Sequence, residues 1–80
     1  MNYNVYILQD SSGKTYVGLT NNLERRIKEH NDGLSLYTKR SAGDWEIKWF
    51  CGFKEREKVV AFEKYLKTGS GIAIMKKRFI

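Results

Sequence analysis

Residues 15–30 constrain the fold most, because they predict a strand, a tight turn and an amphipathic helix in direct succession. Asn21 and Glu24 have the spacing of a capping box, which predicts that the helix begins just after Asn21. One face of this helix carries four residues spaced i, i+3, i+4 and i+7: Leu23, Arg26, Ile27 and His30. Leu23 and Ile27 predict that this face is buried, which is an unusual environment for an arginine and for the chain's single histidine.

The remaining periodicity predicts the other elements. Strands are expected over residues 2–9, 14–18 and 45–53, and the first two form a hairpin across a turn at residues 10–13. Helices are expected over residues 22–31, 55–67 and 70–78, the last capped by Ser70, with a loop at residues 34–44. The order ββαβαα indicates an α+β fold: a small, mostly antiparallel three-stranded sheet flanked by helices.

Strict alternation in the third strand makes a further prediction. It places Trp45, Ile47, Trp49, Cys51 and Phe53 on one face. Cys51 is interpreted there as a buried small hydrophobic residue and not as a reactive thiol.

Composition limits the class of protein. The 80 residues predict one domain over residues 1–80, and the formal net charge of +6 favours a polyanionic partner, most simply a nucleic acid. A single cysteine excludes an intramolecular disulfide and a cysteine metal cluster, and favours a reducing compartment. No signal-like or membrane-spanning stretch is visible, so we expect a cytoplasmic protein without a membrane partner.

Glu63 stands out among the acidic residues because it falls on the apolar stripe of the second helix, between Val59 and Leu66. A charged carboxylate there is costly unless it is paired or bound to a cation. One carboxylate with water can hold a Mg²⁺-type ion, which prefers oxygen ligands. The plainer interpretation is a buried ion pair between Glu63 and Arg26 that does no chemistry.

A chemical interpretation follows if five residues meet over one surface of the sheet: Tyr6, Tyr16, Arg26, His30 and Glu63. A metal ion and an arginine would offset the charge that builds on a phosphate under attack. A tyrosine could act as base if neighbouring positive charge lowered its pKa. This is the chemistry of a phosphodiesterase, whereas the simpler view treats the two tyrosines as ordinary half-buried aromatics.

The same residues resemble the signature of the GIY-YIG nuclease superfamily. The matching elements are, in order, Val5-Tyr6-Ile7, Tyr16-Val17-Gly18, Thr20, Leu23, Arg26 and His30. Glu63 resembles the metal-binding glutamate on the family's later helix. The resemblance covers essentially the whole chain and is greatest to small stand-alone members, related to the nuclease module of the bacterial excision-repair endonuclease. The first motif departs from the family pattern, reading Val-Tyr-Ile in place of Gly-Ile-Tyr.

This resemblance implies an endonuclease that hydrolyses DNA phosphodiester bonds with a single Mg²⁺ or Mn²⁺ ion, in DNA repair. It implies that Tyr6 or Tyr16 activates the attacking water, with Tyr6 favoured. By the same resemblance, Arg26 binds the scissile phosphate and His30 supports a tyrosine or the phosphate. Glu63 would hold the metal.

Nucleic-acid contacts are expected from six aromatic and basic residues: Tyr37, Lys39, Arg40, Lys67, Lys76 and Lys77. An aromatic ring between cations suits stacking on an unpaired base. A protein partner that supplies specificity is a further expectation, as is a homodimer, because one metal site cuts one strand. Two alternatives stay open: a nucleic-acid-binding module that cuts poorly without a partner, and a basic structural adaptor.

Overall fold

The fold is a three-stranded sheet with helices on both faces, and the computed structural model describes residues 2–80 of it. β1 (Tyr3–Gln9), β2 (Thr15–Thr20) and β3 (Glu46–Phe53) are antiparallel, in the order β2-β1-β3. The helices are α1 (Leu23–Asn31), α2 (Arg56–Leu66) and α3 (Gly69–Arg78), and a 3₁₀ turn occupies Lys39–Ser41 in the loop. The α+β class and the order ββαβαα are confirmed. No helix within residues 2–80 has the length and apolar character needed to cross a bilayer.

The central strand, β1, is buried on both faces, and this divides the helices between two layers. Val5 and Ile7 pack with Val17, with Val59 and Leu66 of α2 and with Met75 of α3. Tyr6 and Leu8 point to the opposite face, where they pack with Trp45 and with Leu23 and Ile27 of α1. Alternate residues of one strand therefore serve two cores, as the apolar character of residues 2–9 predicted.

A bulge in β3 overturns one prediction. Ile7 pairs with Trp49 but Leu8 pairs with Ile47, so Lys48 is an extra residue. Because the bulge resets the alternation, Trp49 packs on the α2 and α3 side, where its ring stacks on Phe79 with centroids 4.3 Å apart, whereas Ile47 packs on the α1 side. The prediction that Trp45, Ile47, Trp49, Cys51 and Phe53 share one face was wrong. Cys51 itself is half-buried opposite Val5, and not fully buried as expected.

Two helix caps also differ from prediction. The cap of α1 is Asn22 and not Asn21: the Asn22 side chain accepts from the Arg25 N–H at 3.1 Å, and the Asn22 N–H donates to Thr20 Oγ1. β2 extends to Thr20, which moves the cap one residue along. The cap of α3 is Thr68 and not Ser70, with Thr68 Oγ1 accepting from the Gly71 N–H.

Candidate active site

A chain of buried hydrogen bonds joins β1, α1 and the loop on the α1 face of the sheet. Tyr6 is 1% exposed, and its hydroxyl lies 2.8 Å from Nε2 of His30, which is fully buried in the last turn of α1. The other ring nitrogen, Nδ1, lies 2.6 Å from Oγ1 of Thr38 in the loop. Three distant segments of the sequence therefore meet through one imidazole ring.

Tyr16 closes this group from β2. Its ring centroid lies 4.9 Å from that of His30 and 6.3 Å from that of Tyr6, and the residue is half-buried where Tyr6 is fully buried. The prediction that the hairpin brings the two phenols to one face is therefore confirmed. Of the two tyrosines, Tyr16 is the one that reaches the surface.

Gly18 makes room for this arrangement. It pairs with Tyr6 across the sheet, and a Cβ at this position would lie only 2.6 Å from Tyr6 Cζ and 3.0 Å from Tyr16 Cε2, with Tyr6 Oη closer still. No side chain fits between the rings without displacing them. The glycine of the Tyr-Val-Gly motif is thus explained by packing, and no turn is needed at this point of β2.

Arg26 lies one turn before His30 on α1, and its positive charge acts on the Tyr6 hydroxyl by lowering the pKa of that phenol. Its ion-pair partner is Glu29, with Nη1 3.1 Å from Oε1. The side chains of this pair are 30% and 33% exposed, so the guanidinium borders the solvent and can meet a ligand. The alternative of a buried pair between Arg26 and Glu63 is wrong, because each residue has a partner on its own helix.

Burial sets the ionisation of the group. It raises the pKa of Tyr6 to about 12, although the neighbouring Arg26 guanidinium acts in the opposite direction. Burial also lowers the pKa of His30, and the nearby Arg26 charge lowers it further. Burial opposes the charge of Arg26, but its interactions with Tyr6 and Glu29 outweigh this and raise its pKa. The resting site therefore contains a neutral phenol, a neutral imidazole and a cationic guanidinium.

Glu63 does not lie on this face of the sheet. It belongs to α2, which packs on the opposite face, and its side chain is 15% exposed. Its carboxylate pairs with Lys67 Nζ at 2.5 Å, one turn further along the helix. We expected five residues on one sheet surface, and four of them lie there. Glu63 is the exception, because α2 packs on the opposite face of the sheet.

A depression of about 430 Å³ lies at the β2 edge of the sheet. It is lined by Lys14, Thr15, Tyr16, Tyr37, Trp45 and Lys67. Lys67 lines it and also pairs with Glu63, which does not itself line the depression.

The donor set fits a magnesium-type ion held mostly by water and substrate. Residues 2–80 contain no group of three or more His, Cys, Asp or Glu side chains that could enclose a metal ion. Mg²⁺ commonly takes only one or two carboxylates and keeps several waters or phosphate oxygens. Glu63 is the carboxylate that the resemblance assigns to the metal, and a metal ion would have to displace the ammonium of Lys67 from it.

The residues predicted to contact nucleic acid separate into two groups. Tyr37, 77% exposed, and Lys67 line the depression beside Tyr16. The other four do not line it: Lys39 and Arg40 are exposed on the 3₁₀ turn, and Lys76 and Lys77 are exposed in the last turn of α3.

Two residues of the site gave no functional signal in the sequence. Thr38 stands in an irregular loop with no periodicity, and nothing there predicts that its side chain is buried against His30. Glu29, the partner of Arg26, is one of several acidic residues on a solvated helix face. Only the i, i+3 spacing to Arg26 could have indicated that pair.

Comparison with known proteins agrees with this geometry. A UPF0213 protein of Clostridium perfringens is 40% identical over 67 residues, which cover 84% of this chain and 71% of that protein. A UPF0213 protein of Halalkalibacterium halodurans is 33% identical over 67 residues, with the same two shares. The solution NMR structure of the UPF0213 protein from Bacillus halodurans superposes with a TM-score of 0.61 at 27% identity, covering 99% of this chain and 87% of that one.

The family model of the GIY-YIG catalytic domain matches residues 2–76. Domains of this family are nucleases that generally depend on a divalent metal ion. The match includes every residue of the cluster around His30, together with Glu63. The chain therefore belongs to the GIY-YIG family and is a relative of the UPF0213 proteins.

Proposed function

We propose that this domain, residues 1–80, is an endonuclease that hydrolyses DNA phosphodiester bonds. The observation that carries the proposal is the Tyr6 hydroxyl, which lies 2.8 Å from the neutral imidazole of His30 and within the influence of the Arg26 charge, whose side chain borders the solvent. A buried phenol that served packing alone would need only a hydrogen-bond partner. A permanent cation acting on the same oxygen suits an oxygen that takes up negative charge.

The roles follow from the chemistry of each group. Arg26 binds the scissile phosphate and offsets the charge that grows on it as water attacks. The attacking water forms the new bond to phosphorus and gives its proton to the oxygen of Tyr6, while the leaving oxygen departs from phosphorus. Because Tyr6 is a neutral phenol at rest, it first passes its proton to the neutral imidazole of His30, 2.8 Å away, and then acts as the phenolate that the Arg26 charge favours. Tyr16 shapes the surface side of the site, and His30 supports Tyr6.

Glu63 of α2 would hold a divalent ion, Mg²⁺ or Mn²⁺. When bound, such an ion supplies positive charge to the phosphate and to developing negative charge nearby. The Lys67 ammonium has to leave Glu63 for this. In its place, Lys67 would be free to meet DNA together with Tyr37, while Lys39, Arg40, Lys76 and Lys77 extend the basic surface. A cytoplasmic role in DNA repair, a specificity partner and a homodimer belong to the same proposal.

The experiment is cleavage of labelled duplex, flap and single-stranded DNA with Mg²⁺ or Mn²⁺. The wild type is compared with Arg26→Ala and Glu63→Ala, each with a matched control. Arg25→Ala removes the same charge from an exposed position next to Arg26, and Glu57→Ala removes an exposed carboxylate from the same helix as Glu63. We expect Arg26→Ala to cut about 10²–10³-fold more slowly, and Glu63→Ala to lose metal-dependent cutting. Both controls should cut like the wild type.

Binding measured on the same variants separates the alternatives. If wild type, Arg26→Ala and Glu63→Ala all bind DNA and all show the same background cutting, the protein is a binding module and the nuclease proposal is wrong. The Glu63–Lys67 ion pair gives this second function a structural basis, because it occupies the carboxylate that would hold the metal. DNA binding that is absent or insensitive to salt would leave a structural adaptor, since phosphate contacts weaken steeply with salt.

A further inference from the structure

The loop at residues 34–44 presents three large apolar side chains to the solvent. Leu34 and Leu36 are each 72% exposed and Tyr37 is 77% exposed, the highest values among the large hydrophobic residues that the structure describes. Single apolar side chains on a surface need no explanation, but several close together mark a place where a partner binds. Three within four consecutive residues are such a group.

Buried neighbours hold this exposed segment in place. Ser35 and Thr38 are both buried, so the chain is anchored on each side of the exposed pair between them. The Thr38 carbonyl accepts from the Trp45 indole N–H at 2.9 Å and from the Ser41 N–H at 3.1 Å. The Thr38 N–H donates to the Ser35 carbonyl. The apolar side chains therefore project from a fixed main chain, and a partner does not have to order the loop in order to bind them.

The same segment lies beside the candidate active site. The Thr38 hydroxyl is 2.6 Å from Nδ1 of His30, and the preceding residue, Tyr37, lines the depression together with Tyr16. The Tyr16 ring centroid is in turn 4.9 Å from that of His30. The Cα of Leu36 is about 3.8 Å from that of Tyr37, the spacing of consecutive residues. A molecule bound to Leu36 and Tyr37 is therefore held next to the cluster around His30.

The charge of the segment indicates the kind of partner. Residues 34–43 include Lys39 and Arg40 and no acidic residue, and Lys14 adds a cation to the lining of the depression beside Tyr37. Apolar side chains among cations suit a partner that combines phosphates with flat apolar surfaces. A nucleic acid with accessible bases has this chemistry, whereas the bases of an intact duplex are stacked on each other.

We propose that Leu36 and Tyr37 form a wedge that engages unpaired or unstacked bases, so that the substrate is DNA whose pairing is interrupted next to the scissile phosphate. An aromatic ring stacks on an exposed base, and an apolar side chain inserted at a base step holds the step open. Opening an intact duplex has a free-energy cost, which DNA that is already unpaired avoids. The inference rests on the proposed function for DNA as the partner, and it names the class of DNA.

Binding in EDTA tests the wedge separately from cleavage. The affinity is measured for a fully paired duplex and for the same duplex with a short unpaired bulge, and we expect the wild type to prefer the bulged one. Tyr37→Ala should bind the bulged duplex about 5- to 150-fold more weakly, the loss expected from one stacked ring. Tyr37→Phe keeps the ring and should keep the preference.

Two further variants separate base contacts from phosphate contacts. Leu36→Ala should reduce the preference for the bulged duplex, whereas its control Ile74→Ala, which shortens an exposed apolar side chain on α3, should bind like the wild type. Lys39→Ala should weaken binding to both duplexes equally and lower the dependence on salt. Because these side chains are exposed, all the variants should unfold at the wild-type midpoint.

Equal affinity of the wild type for the two duplexes would overturn the proposal, as would an undiminished preference in both Tyr37→Ala and Leu36→Ala. A wild-type dimer that Leu36→Ala converts to a monomer would also overturn it, because the apolar patch would then bind a second copy of the chain. Failure of the nuclease function looks different. A protein that shows the wedge behaviour in EDTA and cuts no DNA with Mg²⁺ would contradict the nuclease function and leave the wedge standing.

Discussion

The substitution Gly18→Ala tests the packing that holds the site together. The added Cβ would lie 2.6 Å from Cζ of Tyr6 and 3.0 Å from Cε2 of Tyr16. Tyr6 cannot move aside easily, since it is 1% exposed and its hydroxyl is bonded to His30. Overpacking a full core costs about 1–3 kcal/mol. If the ring shifts, the buried bond to His30 is lost at a further cost of about 1–3 kcal/mol.

We therefore expect Gly18→Ala to lower the free energy of unfolding by about 2–6 kcal/mol, a large part of the stability of a small domain. Gly52→Ala is the matched control, because Gly52 lies in the strand on the other side of β1 and an added Cβ meets only Asn4 Oδ1, at 3.4 Å. It should change stability by no more than about 0.5 kcal/mol. Urea unfolding followed by tryptophan fluorescence reports both, since Trp45 is buried on the face of Tyr6.

Equal unfolding midpoints for the two alanine variants would refute this reasoning. They would mean that the Tyr6 ring is not confined against Gly18, and the contact with His30 would then lose its structural basis. Cleavage by a folded Gly18→Ala protein gives a second readout: displaced phenols should cut more slowly than Gly52→Ala.

Three further predictions address the rest of the molecule. Gly71→Ala should strongly destabilise the protein, because its Cβ would lie 2.7 Å from Leu66 Cα. In Gly69→Ala the added Cβ meets nothing within 4 Å, so this variant should be tolerated, and thermal unfolding of both variants tests the difference. Hydrogen bonds, chiefly from Ser12, lower the pKa of Asp10 from 3.8 to about 2. The stability that its carboxylate contributes is therefore present above the unfolded pKa and is lost as pH falls from about 4 to about 2. Urea unfolding at both pH values should show this loss, and Asp10→Asn should not. Burial lowers the pKa of His30 below 6.5, so an NMR titration should place its midpoint below that value, and a midpoint above it would contradict the burial. Because the unfolded chain binds the proton more readily, the free energy of unfolding should fall as pH drops below about 6.5.

The sequence predicted the sheet, the helix order and the cluster of Tyr6, Tyr16, Arg26 and His30 well. These depend on short-range periodicity: alternation places Tyr6 on the opposite face from Val5, and a spacing of four places His30 one turn beyond Arg26. The hairpin then brings the two tyrosines together. These features depend only on local backbone geometry and on the pairing register of β1 with β2.

The sequence failed where a single irregular residue changed a regular pattern. Lys48 is an extra residue in β3, and alternation cannot reveal a bulge, so Ile47 and Trp49 were predicted on the same face when they lie on opposite ones. Glu63 was placed correctly on the apolar stripe of α2. Which face of the sheet α2 would cover depends on long-range packing, which the spacing of Glu63 does not encode. Thr38 belongs to a loop whose path only the folded chain determines.

The most direct test of the account is single-turnover cleavage by Tyr6→Phe, measured beside Tyr16→Phe and the exposed control Tyr65→Phe, with DNA binding determined for each. Tyr6→Phe removes one oxygen and keeps the ring against Gly18. We expect it to cut about 10²–10⁴-fold more slowly than the wild type, with DNA affinity retained, while Tyr65→Phe cuts normally. Wild-type cutting by Tyr6→Phe would contradict the central claim that the oxygen bonded to His30 takes the proton from the attacking water.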